Sequence, residues 1–285
     1  MALAFSICPT STPGFIVSSG GSTSWSGIPE DLKAKITEAH GRGERLRAVS
    51  VAPDGDWFLN TDERVYCKSG PTSRVQGFIQ HFAKNVNVTI GLGDIETFTF
   101  GPKPDACVLT VSRQGGGATV CLYRSGAIPH SLDAHLLATL ETTEAQSVAM
   151  GREDSWVFVG VDGSVKWSGI PASMVTTIKS RASIPIKSVY LSLADSDYWL
   201  IVYSDDTVCH SLPKEWGSVI DEKARIFCQE QQTNHAIMMQ NRAAQMSYMT
   251  QMNSARNTAM MGAASAIAQA AAMQSAFNTM SSGNF

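Results

Sequence analysis

Hydrophobic and polar positions repeat along the first 225 residues in a unit of about 42 residues. The clearest marker is Trp25-Ser-Gly-Ile-Pro29, which recurs as Trp167-Ser-Gly-Ile-Pro171. Related steps end at Pro71, Pro129 and Pro213. Successive prolines lie 42, 58, 42 and 42 residues apart, so one unit carries an insertion of 16 residues. Self-similarity at this period indicates a repeat architecture.

Before each of these prolines, β-rich runs alternate with polar turns. One unit runs through Gln146–Met150, Trp156–Gly160 and Val165–Trp167. Asp162-Gly163 separates the last two runs, and Asp-Gly between β-rich runs is typical of a hairpin turn. The same pattern of three runs occurs in every unit, so the sequence predicts three antiparallel strands per unit.

After each proline, the residues three and seven positions on are mostly apolar. A spacing of four places both on one face of a helix, and proline suits a first helical turn because its missing N–H has no partner there. The pairs are Leu32 and Ile36, Arg74 and Phe78, Leu132 and Leu136, Met174 and Ile178, and Trp216 and Ile220. Arg74 interrupts the pattern, and Val75 with Ile79 shifts that stripe by one residue. Each proline is therefore predicted to open a short amphipathic helix.

Repeats of this length with several antiparallel strands are typical of propeller blades. The sequence predicts a mainly β fold, a five-bladed β-propeller with a helix between consecutive blades. An open β/α solenoid with the same unit is the alternative. A ring is favoured because the first and last units lack the distinct polar caps of a solenoid. The predicted units are 1–40, 41–84, 85–140, 141–182 and 183–225, with the insertion near 85–96 and an added strand at 86–90.

Residues 226–285 have a different character, rich in alanine, methionine and glutamine and without proline. A long helix is predicted here. Steps of seven select a partial heptad, typical of a coiled coil but interrupted by arginines and polar residues. Its apolar members are Met239, Met246, Met249, Met260, Ile267 and Phe277.

Three interpretations of this tail stay open. The helix packs against another copy or a protein partner, it folds back on its own propeller, or the tail is a disordered low-complexity segment. A membrane crossing is disfavoured because the apolar run 259–273 is shorter than the roughly 20 residues required.

The whole chain is 16% charged with a net charge of −3, against about 25% charged residues in an average soluble domain. This balance argues against nucleic-acid binding, which needs a basic surface. Met1–Gly20 has no basic segment before an apolar run, so we expect a cytoplasmic protein. The six cysteines lack metal-ligand or CxxC spacing and are expected to be free, mostly buried thiols. No metal or cofactor is predicted.

The sequence contains no nucleophile elbow, phosphate loop or paired-histidine metal motif, so no catalytic residue is predicted. Trp57, Trp156 and Trp199 begin the second strand of three units. Recurrence at equivalent positions favours packing between blades. The functional alternative is that the three rings stack on sugars while turn carboxylates accept hydroxyl hydrogen bonds, which would give a multivalent lectin. The candidate ligand-binding residues are then Trp57, Trp156, Trp199, Asp54, Asp154 and Asp197.

The recurring Trp-Ser-Gly-Ile-Pro step and the turns at Asp54–Trp57 and Asp162–Val165 resemble repeat propellers of the tectonin and tachylectin group. The resemblance covers about residues 1–225, although the helix after each proline departs from that group's pattern. It implies a non-catalytic binding ring, because the group includes sugar-binding lectins and innate-recognition proteins.

We therefore expect a non-enzymatic scaffold that binds a protein partner or self-associates through its helical tail. A cytoplasmic glycan-binding lectin is the alternative. An enzyme would need a convergent polar cluster at the centre of the ring.

Overall fold

A computed structural model describes residues 3–9, 13–19, 21–70, 73–85, 90–112, 119–139 and 143–281. It divides the chain into two compact units, Met1–Gln231 and Gln232–Phe285. The first unit contains five three-stranded antiparallel sheets, each with its strands in sequence order. The predicted fold of five three-stranded repeats followed by a long C-terminal helix is confirmed at this level.

The fifteen described strands are short. They are β1 Ala4–Cys8, β2 Gly14–Ser19, β3 Ser22–Ser26, β4 Leu46–Val51, β5 Trp57–Thr61, β6 Val65–Cys67, β7 Ile95–Phe100, β8 Cys107–Ser112, β9 Thr119–Tyr123, β10 Ala145–Met150, β11 Trp156–Gly160, β12 Val165–Ser168, β13 Ile186–Leu191, β14 Trp199–Tyr203 and β15 Val208–Ser211.

The described helices follow the sheets one by one. They are α1 Glu30–Gly41, α2 Arg74–Asn85, α3 His130–Thr139, α4 Ala172–Ser180 and α5 Lys214–Ser281. In the insertion, a 3₁₀ turn at Leu92–Asp94 leads into β7. Of the added strand predicted at 86–90, residues 86–89 lie outside the described residues.

The middle strands form the centre of the core. Every residue of β2, β5, β11 and β14 is buried, because each sheet is covered on both faces. Such strands are continuous apolar runs rich in β-branched and aromatic residues, as in Trp199-Leu-Ile-Val-Tyr203.

The helices insert between successive sheets. Five apolar clusters form the core, and each combines side chains of two sheets with those of the helix between them. Leu32 and Ile36 of α1, for example, are fully buried between the first and second sheets. In the fifth cluster, Trp216 and Ile220 of α5 pack with side chains of the fifth and first sheets. The helix is therefore the part of each repeat that joins one sheet to the next.

Pro29 and Pro171 lie one position earlier than predicted relative to their helices, and the second helix begins only at Arg74, three positions after the proline predicted to open it. Pro29 and Pro171 are N-cap residues rather than first-turn residues. Their carbonyl oxygens accept the first helical hydrogen bonds, from Lys33 N at 3.0 Å and Val175 N at 3.1 Å. The matching geometry at these two sites explains why proline suits this position, since their φ values of −56° and −61° are those that the proline ring fixes.

Four of the five first strands contain a β-bulge. The register shifts between Leu46 and Ala48 in β4, and equivalent shifts occur in β7, β10 and β13. The extra residue is polar in each case, whereas β1 pairs with β2 without a shift. The bulge residues are Arg47, Glu96, Gln146 and Lys187. A bulge interrupts the alternation of side chains between the two faces of the sheet. A polar side chain is therefore tolerated at the equivalent position of each of these four strands.

Helix α5 continues without interruption from the core of the first unit into the second unit. It is 68 residues long, and the change of composition at residue 226 is not marked by a break. The reason lies in the sequence, because no proline follows Pro213 and the rest of the segment is rich in strong helix formers.

We predict that Leu136→Ala lowers the free energy of unfolding of the first unit by about 2–5 kcal/mol, because it opens a cavity in the core. Leu136 is fully buried, whereas its neighbour Leu137 is 63% exposed. Leu137→Ala is therefore the matched control, with an expected change within about 0.5 kcal/mol. Denaturant unfolding followed by tryptophan fluorescence measures both, since all six tryptophans lie in the first unit. Equal losses of stability in the two variants would contradict the orientation of α3, which buries Leu136 and exposes Leu137.

Candidate functional site

A cavity of about 250 Å³ lies among the first strands of the five sheets. Its lining combines apolar side chains with hydroxyl groups and with three of the bulge residues, Arg47, Gln146 and Lys187. The described part of the lining contains no carboxylate, imidazole or thiol.

Several polar groups of this cavity connect neighbouring first strands. Thr99 Oγ1 donates to the carbonyl oxygen of Val148 at 2.9 Å, which links the third sheet to the fourth. Ser147 Oγ accepts from the Val189 N–H at 3.3 Å, which links the fourth to the fifth. Ser50 Oγ donates in the same way to the Phe98 carbonyl oxygen. These hydroxyl groups are engaged in holding sheets together.

The bulge residues form a more polar edge of the cavity. Gln146 Nε2 donates to the Lys187 carbonyl oxygen at 3.1 Å. Lys187 Nζ lies 3.5 Å from Asp206 Oδ1 and 5.3 Å from the centre of the Phe227 ring. The Lys187 charge is therefore partly balanced within the first unit.

The three tryptophans proposed as sugar platforms are buried. Trp57, Trp156 and Trp199 are 3–4% exposed. Each indole Nε1–H donates to a side chain on the helix of the preceding repeat: Asp31 Oδ2 at 3.0 Å, Ser131 Oγ at 2.8 Å and Ser173 Oγ at 3.4 Å, respectively. The rings therefore connect helix to sheet and present no open face for stacking on a sugar.

Sequence reasoning missed the acceptors of these hydrogen bonds, although a signal was present. Asp31, Ser131 and Ser173 each stand two positions after a repeat proline. At the other two junctions the tryptophan position holds Gly14 and Cys107. A Cβ at Gly14 would lie 2.1 Å from the Ser26 carbonyl oxygen, so the backbone is too close there for a side chain.

The three candidate carboxylates occupy unrelated settings. Asp54 Oδ2 accepts from Arg74 Nε at 2.8 Å. Asp154 is exposed in a 3₁₀ turn with a positive φ of 59°. Asp197 is also exposed, and its N–H donates to Asp195 Oδ1 at 2.9 Å. Since the tryptophan rings are buried, the structure does not combine these carboxylates with an accessible ring.

Arg74, which interrupts the helical stripe, has a structural role. It pairs with Asp54, and its guanidinium lies 5.9 Å from the centre of the Phe100 ring. The buried Asp56 carboxylate accepts from the Arg74 and Trp57 N–H groups, and it thereby caps α2. Burial raises the pKa of Asp56, and the two hydrogen bonds oppose this shift.

All six cysteines are free thiols, of which Cys8, Cys107 and Cys121 are buried and the other three are partly exposed. Burial raises the pKa of Cys8, Cys107 and Cys121 to about 12, which makes these thiols poor nucleophiles and poor ligands at neutral pH. No three metal-ligating side chains converge within the parts of the chain that the structure describes.

The second unit is a helix with exposed large apolar side chains. Residues turn by about 100° along a helix, so six of the eleven such side chains in its described part fall within an arc of about 120°. The other five, Ile237, Met239, Tyr248, Met261 and Met273, lie outside this arc. We call this arc the tail stripe, and it consists of Met238, Met246, Met249, Met252, Met260 and Ile267, all more than half exposed.

The tail stripe overlaps the predicted heptad without matching it. Met246, Met249, Met260 and Ile267 belong to both, whereas Met239 lies beside the stripe. Met238 and Met252 were missed, because steps of seven drift relative to a helix of 3.6 residues per turn. Phe277 lies in the helical backbone, but its side chain is outside the described residues.

Among the helices that the structure describes, none has both the length and the apolar character needed to cross a membrane.

Sequence comparisons give no match to known proteins, and structure comparison gives a distant one. No family model matches the chain, and no curated protein matches its sequence. Among solved structures, it is similar to the β-propeller domain of Myceliophteria thermophila Cps50 (Swd1), with a TM-score of 0.28 and 7% identity. The alignment covers 70% of this chain and 66% of that one. The resemblance to the tectonin and tachylectin group stays a prediction.

We predict that Ser131→Ala lowers the free energy of unfolding by about 1 kcal/mol, because it leaves the Trp156 N–H without its acceptor in a buried setting. The matched control is Ser173→Ala, which removes the longer hydrogen bond from Trp199 and should lower stability less. Denaturant unfolding measures both variants. A larger loss of stability for Ser173→Ala would contradict the interpretation that the shorter hydrogen bond, from Trp156, contributes more.

Proposed function

We propose that this protein is a non-catalytic interaction protein, in which five sheets close into a rigid ring and the tail stripe on the second unit binds a protein surface. The observation that carries the proposal is the tail stripe itself, six exposed apolar side chains on one helix face. The polar groups of the central cavity support the non-catalytic part, since Ser50, Thr99 and Ser147 are occupied by bonds between sheets.

Closure of the ring is supported by contacts between the first and fifth sheets. The Tyr190 hydroxyl donates to the Leu3 carbonyl oxygen at 3.1 Å. The Phe5 and Tyr190 rings meet edge to face with 5.4 Å between their centres. A ring removes the exposed sheet edges at which an open array would associate.

A double-mutant cycle between Phe5→Leu and Tyr190→Leu tests closure. If the rings meet, we expect a coupling energy of about 0.5–1.5 kcal/mol in denaturant unfolding. The matched control cycle uses Phe58 and Phe98, whose ring centres lie 5.8 Å apart between the second and third sheets. Coupling in the control alone would show an open array.

Binding through the tail stripe is supported by its exposed apolar area. Met249 is 64% exposed and Ile267 is 71% exposed. Full burial of one such side chain contributes about 1.5–3 kcal/mol, so six provide a strong driving force for association. The opposite helix face carries polar and small residues such as Gln251 and Ser265. The apolar side chains are therefore concentrated on the stripe, although Met261 and Met273 border the opposite face and make the helix only weakly amphipathic.

No observation favours the glycan-binding alternative. Its three aromatic platforms are buried, so sugar stacking would require the junctions between helix and sheet to open.

Photo-crosslinking tests the tail proposal. A photoreactive amino acid replaces Met249 on the tail stripe, and in a matched variant it replaces Gln251 on the opposite face. In the cells that make the protein, we expect several-fold more protein adduct from position 249, measured by mass spectrometry. Adding Ile267→Gln to the first variant should reduce that adduct. Equal adduct from the two faces would contradict binding through the stripe.

A further inference from the structure

Two arginines lie within the tail stripe. At about 100° per residue, Arg242 and Arg256 fall in the same arc as the apolar side chains, with Met249 midway between them. They are fourteen residues apart, which is about 21 Å along the helix. Both are exposed, and neither has an ion pair within the described part of the chain. Any surface that covers the stripe therefore also covers two cations.

The second unit provides no charge to balance them. After Glu230 the chain contains no aspartate or glutamate. Glu230 itself belongs to the first unit, where it accepts from Ser19 Oγ at 3.4 Å. Arginines in an apolar interface without carboxylate partners keep most of their desolvation penalty.

This charge pattern disfavours a second copy of the same helix as the occupant. In a parallel pair, each arginine would face its own counterpart. In an antiparallel pair centred on Met249, Arg242 of one helix would face Arg256 of the other. Antiparallel pairs centred on Arg242 or on Arg256 place that arginine against its own counterpart, and the remaining registers within residues 232–281 place both arginines against uncharged residues. Within residues 232–281, no register of two identical helices supplies a carboxylate to either arginine, because every carboxylate of α5 precedes residue 231.

The shape of the stripe fits another helix. From Met238 to Ile267 it covers about a third of the helix circumference and runs for about 44 Å along a straight helix. Ala263 and Ala270 continue the same face, and small residues allow a second helix to approach closely. Arginine suits such an interface, because its stem packs on apolar neighbours while the guanidinium pairs with a carboxylate in two-point geometry.

We infer that the tail stripe binds an acidic amphipathic helix of a different protein, whose apolar seam carries two carboxylates about two heptads apart opposite Arg242 and Arg256. This inference rests on the proposed function, which holds that the stripe is a binding surface. It adds that the partner is a different protein and that the segment which binds is an acidic helix. The carboxylates set register and specificity, while the methionines provide most of the apolar contact.

The test uses the full chain and three designed helical peptides as probes. All three peptides have the same leucine seam, and they differ only at two seam positions two heptads apart, which hold glutamate, glutamine or lysine. Dissociation constants come from calorimetry at low and high salt. We expect the glutamate peptide to bind about tenfold more tightly than the lysine peptide, with the glutamine peptide between them and the preference reduced at high salt.

Charge-reversed variants give the decisive control. Arg242→Glu with Arg256→Glu should invert the preference, so that the lysine peptide binds more tightly. The matched control is Gln251→Glu with Ser265→Glu, which adds two carboxylates fourteen residues apart on the opposite face and should leave the order unchanged. Circular dichroism confirms that each variant keeps its helix content.

Three outcomes overturn the inference while leaving the proposed function intact. Equal binding of the three peptides would remove the charge selectivity. A full-chain oligomer in light scattering that dissociates in Met249→Gln and persists with both arginines reversed would identify a second copy as the occupant. Binding to phosphatidylserine vesicles, with no binding to any peptide, would identify a membrane surface. If the chain binds no peptide and no vesicle and stays monomeric, the proposed function fails together with the inference.

Discussion

The fold depends on the helix that each repeat inserts between its own sheet and the next. Three short strands make too small a unit to bury both faces of a sheet, so each middle strand needs cover from a neighbouring repeat. The helix supplies part of that cover through pairs such as Leu132 and Leu136, which are fully buried. Hydrogen bonds from Trp57, Trp156 and Trp199 to the preceding helix fix its position against the next sheet. The repeat is therefore stable only as an array.

The same arrangement explains why the most conspicuous residues of the sequence are structural. Tryptophan recurs at the first position of a middle strand because that position meets the helix of the preceding repeat. A buried indole needs an acceptor for its N–H, and a side chain two residues after the proline provides one. At the two junctions without this tryptophan, other side chains pack between the helix and the sheet. Trp216 of α5 lies against Phe15, for example, with 5.3 Å between ring centres.

Much of the fold could be predicted from the sequence because the repeat shows each element five times. The repeat spacing and the periodicity of apolar residues located the strands and the buried faces of the helices. They also located Val75 as the residue that takes the buried position next to Arg74. The bulges and the helix-to-sheet hydrogen bonds could not be predicted, because they depend on which residues of different repeats meet. The role of the tryptophans stayed open for the same reason, since recurrence is compatible with both packing and binding. The tail was predicted as helical, but the positions of its tail stripe follow the helical turn of 3.6 residues rather than the heptad.

The fifth helix begins like the other four and differs from them chiefly in its length, since it continues to Ser281. Its first turns carry Trp216 and Ile220, which fill the same place as Leu32 and Ile36 in α1. The absence of proline and of any helix-stopping sequence then lets the same helix continue into the second unit. Helix propensity alone contributes little stability to an unpacked helical segment such as residues 232–281. Most helical stability in proteins comes from packing of an apolar face. This exposed apolar surface is the physical ground for the proposal that the stripe binds a partner, and in that proposal the two arginines within it determine which surfaces fit.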